Sequence, residues 1–172
     1  MKIPNHFAFT FTLIWVAVAL SCGSENRSNV DPSKRQSAQL TPLSSPAFRA
    51  LLSLPNPPTR MRPGEKQIVQ VNVKNASAEA WPALGAADAR FAITLRNRWL
   101  SADGKKVIND IDGGASLPYD LTPGSVTDMN ISITAPAEPG EYVLEFDMVQ
   151  ERVTWFRDKG SQPTRLKVKV EP

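Results

Sequence analysis

The chain holds one cysteine, Cys22, and one histidine, His6, among its 172 residues. Each scarcity excludes a class of chemistry. A single thiol cannot close an internal disulfide, which needs two cysteines at bonding distance. His6 lies near the start, so the remainder has neither a Ser–His or Cys–His nucleophile pair nor a His/Cys zinc set. A hydrolase built on carboxylates alone stays formally open. Glycine is sparse too, nine residues against fifteen prolines, and the prolines gather in "SLPNPP", "TPG", "APAEPG" and "SQPT". Proline donates no ladder hydrogen bond, so this punctuation predicts many short elements separated by turns. A concentrated basic patch is missing as well. The net charge of +3 comes from scattered residues, and Lys167 and Lys169 alternate with Leu166, Val168 and Val170 as one solvated strand face. That pattern argues against a nucleic-acid partner.

Long apolar runs are absent except for "FAFTFTLIWVAVAL", from Phe7 to Leu20. As a helix those residues would rise about 21 Å, short of the roughly 30 Å hydrocarbon core. A positive start at Lys2, a short apolar stretch and small residues at its end describe an export signal. Two cleavage readings compete. Ala17 and Ala19 offer small residues for an ordinary signal peptidase cutting before Leu20. Alternatively "ALSC", ending at Cys22, resembles the lipobox of bacterial lipoproteins, departing from it in placing Leu20 one position later than is usual. The resemblance implies a signal peptide over 1–21, with Cys22 carrying diacylglycerol as the first residue of the mature chain. The isolated thiol favours that reading. A stray cysteine in an oxidising compartment is a liability that a thioether removes. Two or three acyl chains anchor far more firmly than one. The expected location is a bacterial membrane, the outer one if Gram-negative, since Gly23 is not the Asp that retains enteric lipoproteins at the inner membrane.

Residues 22–45 are dominated by Ser, Asn, Gln and Pro and carry few large apolar side chains. Such a segment buries too little to offset its ordering entropy. It is expected to be a disordered tether holding the domain roughly 25–30 Å from the membrane.

From residue 46 to 172 the apolar period becomes two. Val69, Val71 and Val73 alternate with polar neighbours, as do Phe91, Ile93 and Leu95; Met129, Ile131 and Ile133; Tyr142, Leu144, Phe146 and Met148; and Leu166, Val168 and Val170. Sustained helical spacing is lacking, so the fold class is all-β, an antiparallel two-sheet sandwich of about seven strands. In "PAEPGEYVLEF" a tyrosine follows a Pro-Gly turn, similar to the tyrosine corner of immunoglobulin-like domains. The apolar phase slips after Met148, which predicts a bulge or corner around Gln150 to Arg152. Beyond it Trp155 and Phe156 point to opposite faces, so one of them should be partly exposed.

The stretches "VNVKNASAEAWP", "ITLRNRWL" and "ITAPAEPGEYVLEFDMVQERVTWFRDKG" resemble immunoglobulin-like modules appended to bacterial envelope glycosyltransferases and glycan-export proteins. They resemble more loosely the four-tryptophan domain of autophagy cargo receptors. The resemblance implies a non-catalytic accessory that binds glycan chain ends or proteins. Trp81, Trp99, Trp155 and Phe156 are the candidate ligand contacts, because flat aromatics stack on sugar rings; packing is the competing role for each tryptophan. Asp110 and Asp112 in "NDIDGG" have a calcium-loop spacing without the downstream Glu, so an Asp-Gly turn is expected. Glu145 and Asp147 share one strand face, about 7 Å apart, and read as an outer charged face. The resulting expectation is a lipid-anchored envelope module without catalytic residues, metal or cofactor. Its partners would be the membrane through Cys22 and an envelope glycan, or alternatively a protein or a structural assembly.

Overall fold

The computed structural model describes residues 35–172. The expected signal peptide, Cys22 and the first part of the expected tether lie outside the described residues. Ten strands follow in order: β1 (Ala50–Ser53), β2 (Arg60–Met61), β3 (Lys66–Asn75), β4 (Ile93–Ser101), β5 (Val107–Asn109), β6 (Gly114–Ser116), β7 (Val126–Thr134), β8 (Gly140–Gln150), β9 (Thr154–Trp155) and β10 (Thr164–Val170). They form two sheets. One has the order β1-β3-β7; the other has the order β2-β10-β8-β4-β5, with β6 also beside β4 and β9 beside β8. Leaving the two-residue β2 aside, the chain changes sheet between β3 and β4, returns between β6 and β7, and changes again between β7 and β8. This is the crossing of an immunoglobulin-like sandwich, and the expected fold class is what the protein adopts.

The five period-two segments are the five long strands. Val69, Val71 and Val73 of β3 and Met129, Ile131 and Ile133 of β7 face Leu95 and Trp99 of β4 and Leu144, Phe146 and Met148 of β8, all of them buried. Each fully buried Leu, Ile or Phe contributes about 1.5–3 kcal/mol, which lets the domain stand without a disulfide. β4 begins later than expected. Phe91 has a left-handed φ of 69° and precedes the strand, its N–H donating to Glu151 O at 3.0 Å. The tyrosine corner is present: Tyr142 Oη donates to Glu138 O at 2.9 Å and pins the turn ahead of β8.

Two expectations are refined here. Of the bulge or corner expected after Met148, the chain forms the corner, as a hairpin. Val149 and Gln150 pair with Trp155 and Thr154, and the reversal turns at Arg152, φ 58°, with Val153 N–H donating to Gln150 O. A turn accommodates the left-handed residue that a continuous strand could not. The boundary at residue 46 also falls inside packed structure. Ala38 bridges to Leu84, Ser37 N–H donates to Asp120 Oδ1 at 2.7 Å, and Leu43 N–H donates to Gln150 Oε1 at 2.9 Å. The polar composition that suggested a tether supplies these backbone and side-chain partners instead. The chain therefore reaches the sandwich at the end where β8 finishes and β4 begins.

Candidate binding face around Trp155

Three of the four candidate aromatics belong to the core. Trp81 is fully buried, its Nε1 donating to Ala47 O at 2.9 Å. Phe156 is fully buried and meets Phe48 and Trp81 edge-on, with centroids 5.0 and 5.2 Å away. Trp99 is fully buried and edge-on to Tyr142 at 6.2 Å. None of the three offers a face to a ligand, and a platform of several indoles is not what the fold builds. The reason is parity. Trp99 stands on the core side of β4 with Ile93 and Leu95, and Phe156 follows the end of β9 turned inward. Trp155, one residue earlier, is turned outward and half-buried.

Trp155 sits on a face assembled by register. β4 presents Arg96 and Arg98 outward, β8 presents Glu145 and Asp147, and β10 presents Arg165. Cross-strand pairing sets Glu145 directly between Arg98 and Arg165. Its carboxylate accepts from Arg98 Nε and Arg165 Nε, each at 2.6 Å, and from Arg157 Nη1 at 3.4 Å. Asp147 accepts the backbone N–H of Arg157 at 3.0 Å. The guanidinium of Arg157 lies 4.0 Å from the Trp155 ring centroid and that of Arg98 lies 5.8 Å away, so the cations cover part of the indole. Beside it opens a groove of about 270 Å³ bounded by Arg96, Ile111, Gln150, Glu151, Val153 and Trp155. Arg96 holds Glu151 with two hydrogen bonds, Nε at 2.9 Å and Nη2 at 2.8 Å, while Ile111 is 57% and Val153 37% exposed. The groove thus combines an indole, two apolar flanks and planar polar groups.

The expectation that Glu145 and Asp147 form a solvated charged face is corrected. They are on the outer face, but Glu145 is 0% and Asp147 1% exposed, because the Trp155–Arg157 corner and the arginines lie over them. Burial alone would raise Glu145, yet Arg98 and Arg165 hold its carboxyl below the ordinary 4.5. Asp147 has weaker compensation, and burial lifts it from 3.8 to about 6. In the folded chain Asp147 therefore binds a proton that the unfolded chain does not hold. Between pH 7 and about pH 4.5 stability should rise on acidification by about 2 kcal/mol. Below that, protonation of Glu145 removes its ion pairs and stability should fall. Thermal melts across this range test the sign: Asp147→Asn should flatten the rise, and a wild-type midpoint falling steadily from pH 7 to 5 would contradict it.

Both carboxylates face arginine rather than a cleft, so they do not form a converging acid pair. Asp112 accepts from the N–H of Thr134 and from Asn97 Nδ2, and Asn97 Oδ1 takes the N–H of Gly113 at 2.8 Å. This ties the "NDIDGG" segment down as a crossing rather than a calcium loop. Gly113 cannot carry a side chain there, since a Cβ would fall 2.0 Å from Ser132 O. Among the described residues, no three His, Cys, Asp or Glu side chains converge for a metal.

No family model and no curated protein matches this chain. Solved structures are similar to it at a low level. One is the CARDB domain of a Pyrococcus furiosus protein: 14% identity and TM-score 0.42, over 71% of this chain and 92% of that domain. The same domain in complex with di-metal ions gives 12% and 0.42, over 71% and 90%. The β-glucosidase from Listeria innocua in complex with glucose gives 14% and 0.43, over 72% of this chain and 16% of the enzyme. At this level neither the metal of the one nor the chemistry of the other passes to this chain.

Proposed function

We propose that the protein is an exported lipoprotein whose sandwich is a non-catalytic binding module, with envelope glycan as its ligand at the Trp155 groove. The observation that carries the binding half is the placement of Trp155. It is the one candidate aromatic left at the surface, and it flanks a groove rich in planar hydrogen-bonding groups. A sugar needs that mixture: an apolar wall for its C–H face, and the Arg96 and Glu151 side chains for its hydroxyls. The reading of Cys22 as a lipid site rests on the lipobox resemblance and on the lack of any other cysteine to pair with it.

One experiment separates the two halves. Cys22→Ala should release the full-length protein from membranes and abolish labelling by a palmitate analogue. It should leave retention on an array of bacterial surface polysaccharides unchanged. Trp155→Ala should do the reverse. A Cys22→Ala protein that stays membrane-bound and labelled would remove the anchor from this account, and a Trp155→Ala protein retained like wild type would remove the glycan site. A protein partner is the second reading, favoured by a different groove described next.

A further inference from the structure

A second opening lies at the opposite end of the sandwich from the arriving chain. From Tyr142 to Gln150, β8 advances about 27 Å at 3.4 Å per residue, so the β8 walls of the two grooves lie far apart, while their other walls meet at Ile111, which lines the Trp155 groove, and Asp112, which lines this one. It has a volume of about 390 Å³ and is lined by Trp99, Ile108, Asp112, Pro136, Glu138 and Tyr142, among others. Three features converge on it.

The first is a free sheet edge. β5 pairs with β4 and ends the sheet, so its outward main-chain groups have no strand beside them. Natural edges are commonly blunted by proline or inward-pointing charge. This edge is short, three residues with an irregular register against β4, but it carries no proline and exposes Val107 and Ile108, at 40% and 43%. The second is charge. The groove lining includes two carboxylates, Asp112 and Glu138, and neither lysine nor arginine, in a chain of net charge +3. Neither carboxylate takes part in an ion pair among the described residues. Asp110, next to the edge, has only Arg98 at 3.9 Å. Lys105 and Lys106 belong to the β4–β5 turn and do not line the groove. The third is Trp99, one of the lining residues. Its Nε1–H is the only buried side-chain polar atom without a hydrogen-bond partner among the described residues. A donor left in that state costs about 1–3 kcal/mol.

We propose that the β5 edge and this groove dock an extended, lysine- or arginine-bearing segment of a partner polypeptide, added as a further strand of the sheet. A sheet edge pairs with another main chain and not with a sugar, which selects a polypeptide. The unpaired carboxylates select its charge, since an anionic ligand would meet Glu138 and Asp112, whereas a cationic side chain gains charge-assisted hydrogen bonds. The apolar edge residues take the alternate side chains. This docking concerns a different groove from the Trp155 one and stands whether or not a glycan binds there.

The test uses the full-length protein in detergent and two fluorescent peptides, one alternating lysine with valine and the other alternating glutamate with valine. The lysine peptide should bind saturably and more weakly as salt rises, and the glutamate peptide should not bind. Glu138 is exposed, and its side chain has no hydrogen-bond or ion-pair partner among the described residues. Glu138→Lys should therefore keep the wild-type melting temperature while weakening the lysine peptide at least about tenfold. Ile108→Pro, which removes a donor from the edge, should weaken it as well. Binding of both peptides alike, binding of neither, or an unchanged affinity for Glu138→Lys would overturn the proposal. Displacement of the lysine peptide by surface polysaccharide would overturn it too, by giving the groove to a glycan.

Discussion

Replacing Glu145 by alanine should destabilise the fold by about 3–5 kcal/mol, the range for removing one partner of a buried ion pair. The cause is not the loss of a favourable contact alone. Arg98 and Arg157 keep only 14% and 17% side-chain exposure, and without Glu145 their guanidiniums face each other across a site with little water. The carboxylates left near them are Asp147, already engaged with the Arg157 backbone, and the exposed Asp110 and Asp158, at 3.9 Å from Arg98 and 3.7 Å from Arg157. Arg165 is 49% exposed and can turn to solvent, so Arg165→Ala should cost far less, within about 1 kcal/mol. Urea denaturation of both variants checks this. A domain of this size has roughly 5–15 kcal/mol of stability in all, so Glu145→Ala should shift the midpoint conspicuously. Equal, small shifts for the two variants would mean that the cluster is solvated and the Trp155 corner open.

Phe156→Ala should cost about 3–5 kcal/mol, whereas Trp155→Ala, one residue away, should cost much less. Phe156 is fully buried and wedged edge-on against Phe48 and Trp81. Phe48 in turn belongs to the segment that leads from the arriving chain into β1. Truncating the ring leaves a cavity bordered by two aromatics that cannot collapse onto a methyl group. The corner carrying Trp155 and Arg157 would lose its inner anchor with it. Trp155 gives up a half-exposed indole and its stack on Arg157, worth about 0.5–1 kcal/mol at an exposed site. The expected result is therefore a split. Phe156→Ala lowers both stability and ligand retention, while Trp155→Ala lowers retention with the melting temperature nearly kept. Comparable stability losses from both would show that Trp155 is a packing residue.

The strands were legible because one sheet face is apolar. Val69, Val71 and Val73, or Ile131 and Ile133, alternate strictly, and period two survives any detail of packing. The outer face of β8 was not legible. Glu145 and Asp147 read as solvated because alternation reports which side a residue takes, and says nothing of what lies over that side. Their burial depends on the register that sets Arg98 and Arg165 beside Glu145, and on a corner brought back from residues 154–159. The signal existed in outline, as arginines two apart in "RNR" and acids two apart in "EFD", but pairing them needs the strand order. The tryptophans show the same limit. Indoles suit both cores and sugar sites, and only parity relative to the core separated Trp99 from Trp155. The phase slip at Gln150 was visible, whereas its resolution as a hairpin turning at Arg152 was not, since arginine carries no turn signal. At residues 35–45 composition misled, because Gln36, Ser37 and Leu43 bond to Pro118, Asp120 and Gln150 far along the chain.

The tryptophan indole N–H resonances offer the most direct test of the binding account, because the indoles occupy distinct places. Trp81 is locked to Ala47, Trp99 belongs to the groove at the far end, and Trp155 lines the proposed glycan groove. Assigning these signals by single substitution and titrating the full-length protein with a surface polysaccharide retained on the array reports occupancy site by site. The account predicts that the Trp155 signal shifts saturably while those of Trp81 and Trp99 hold still. A saturable shift of Trp99 with Trp155 unmoved, or no shift of any indole, would contradict it.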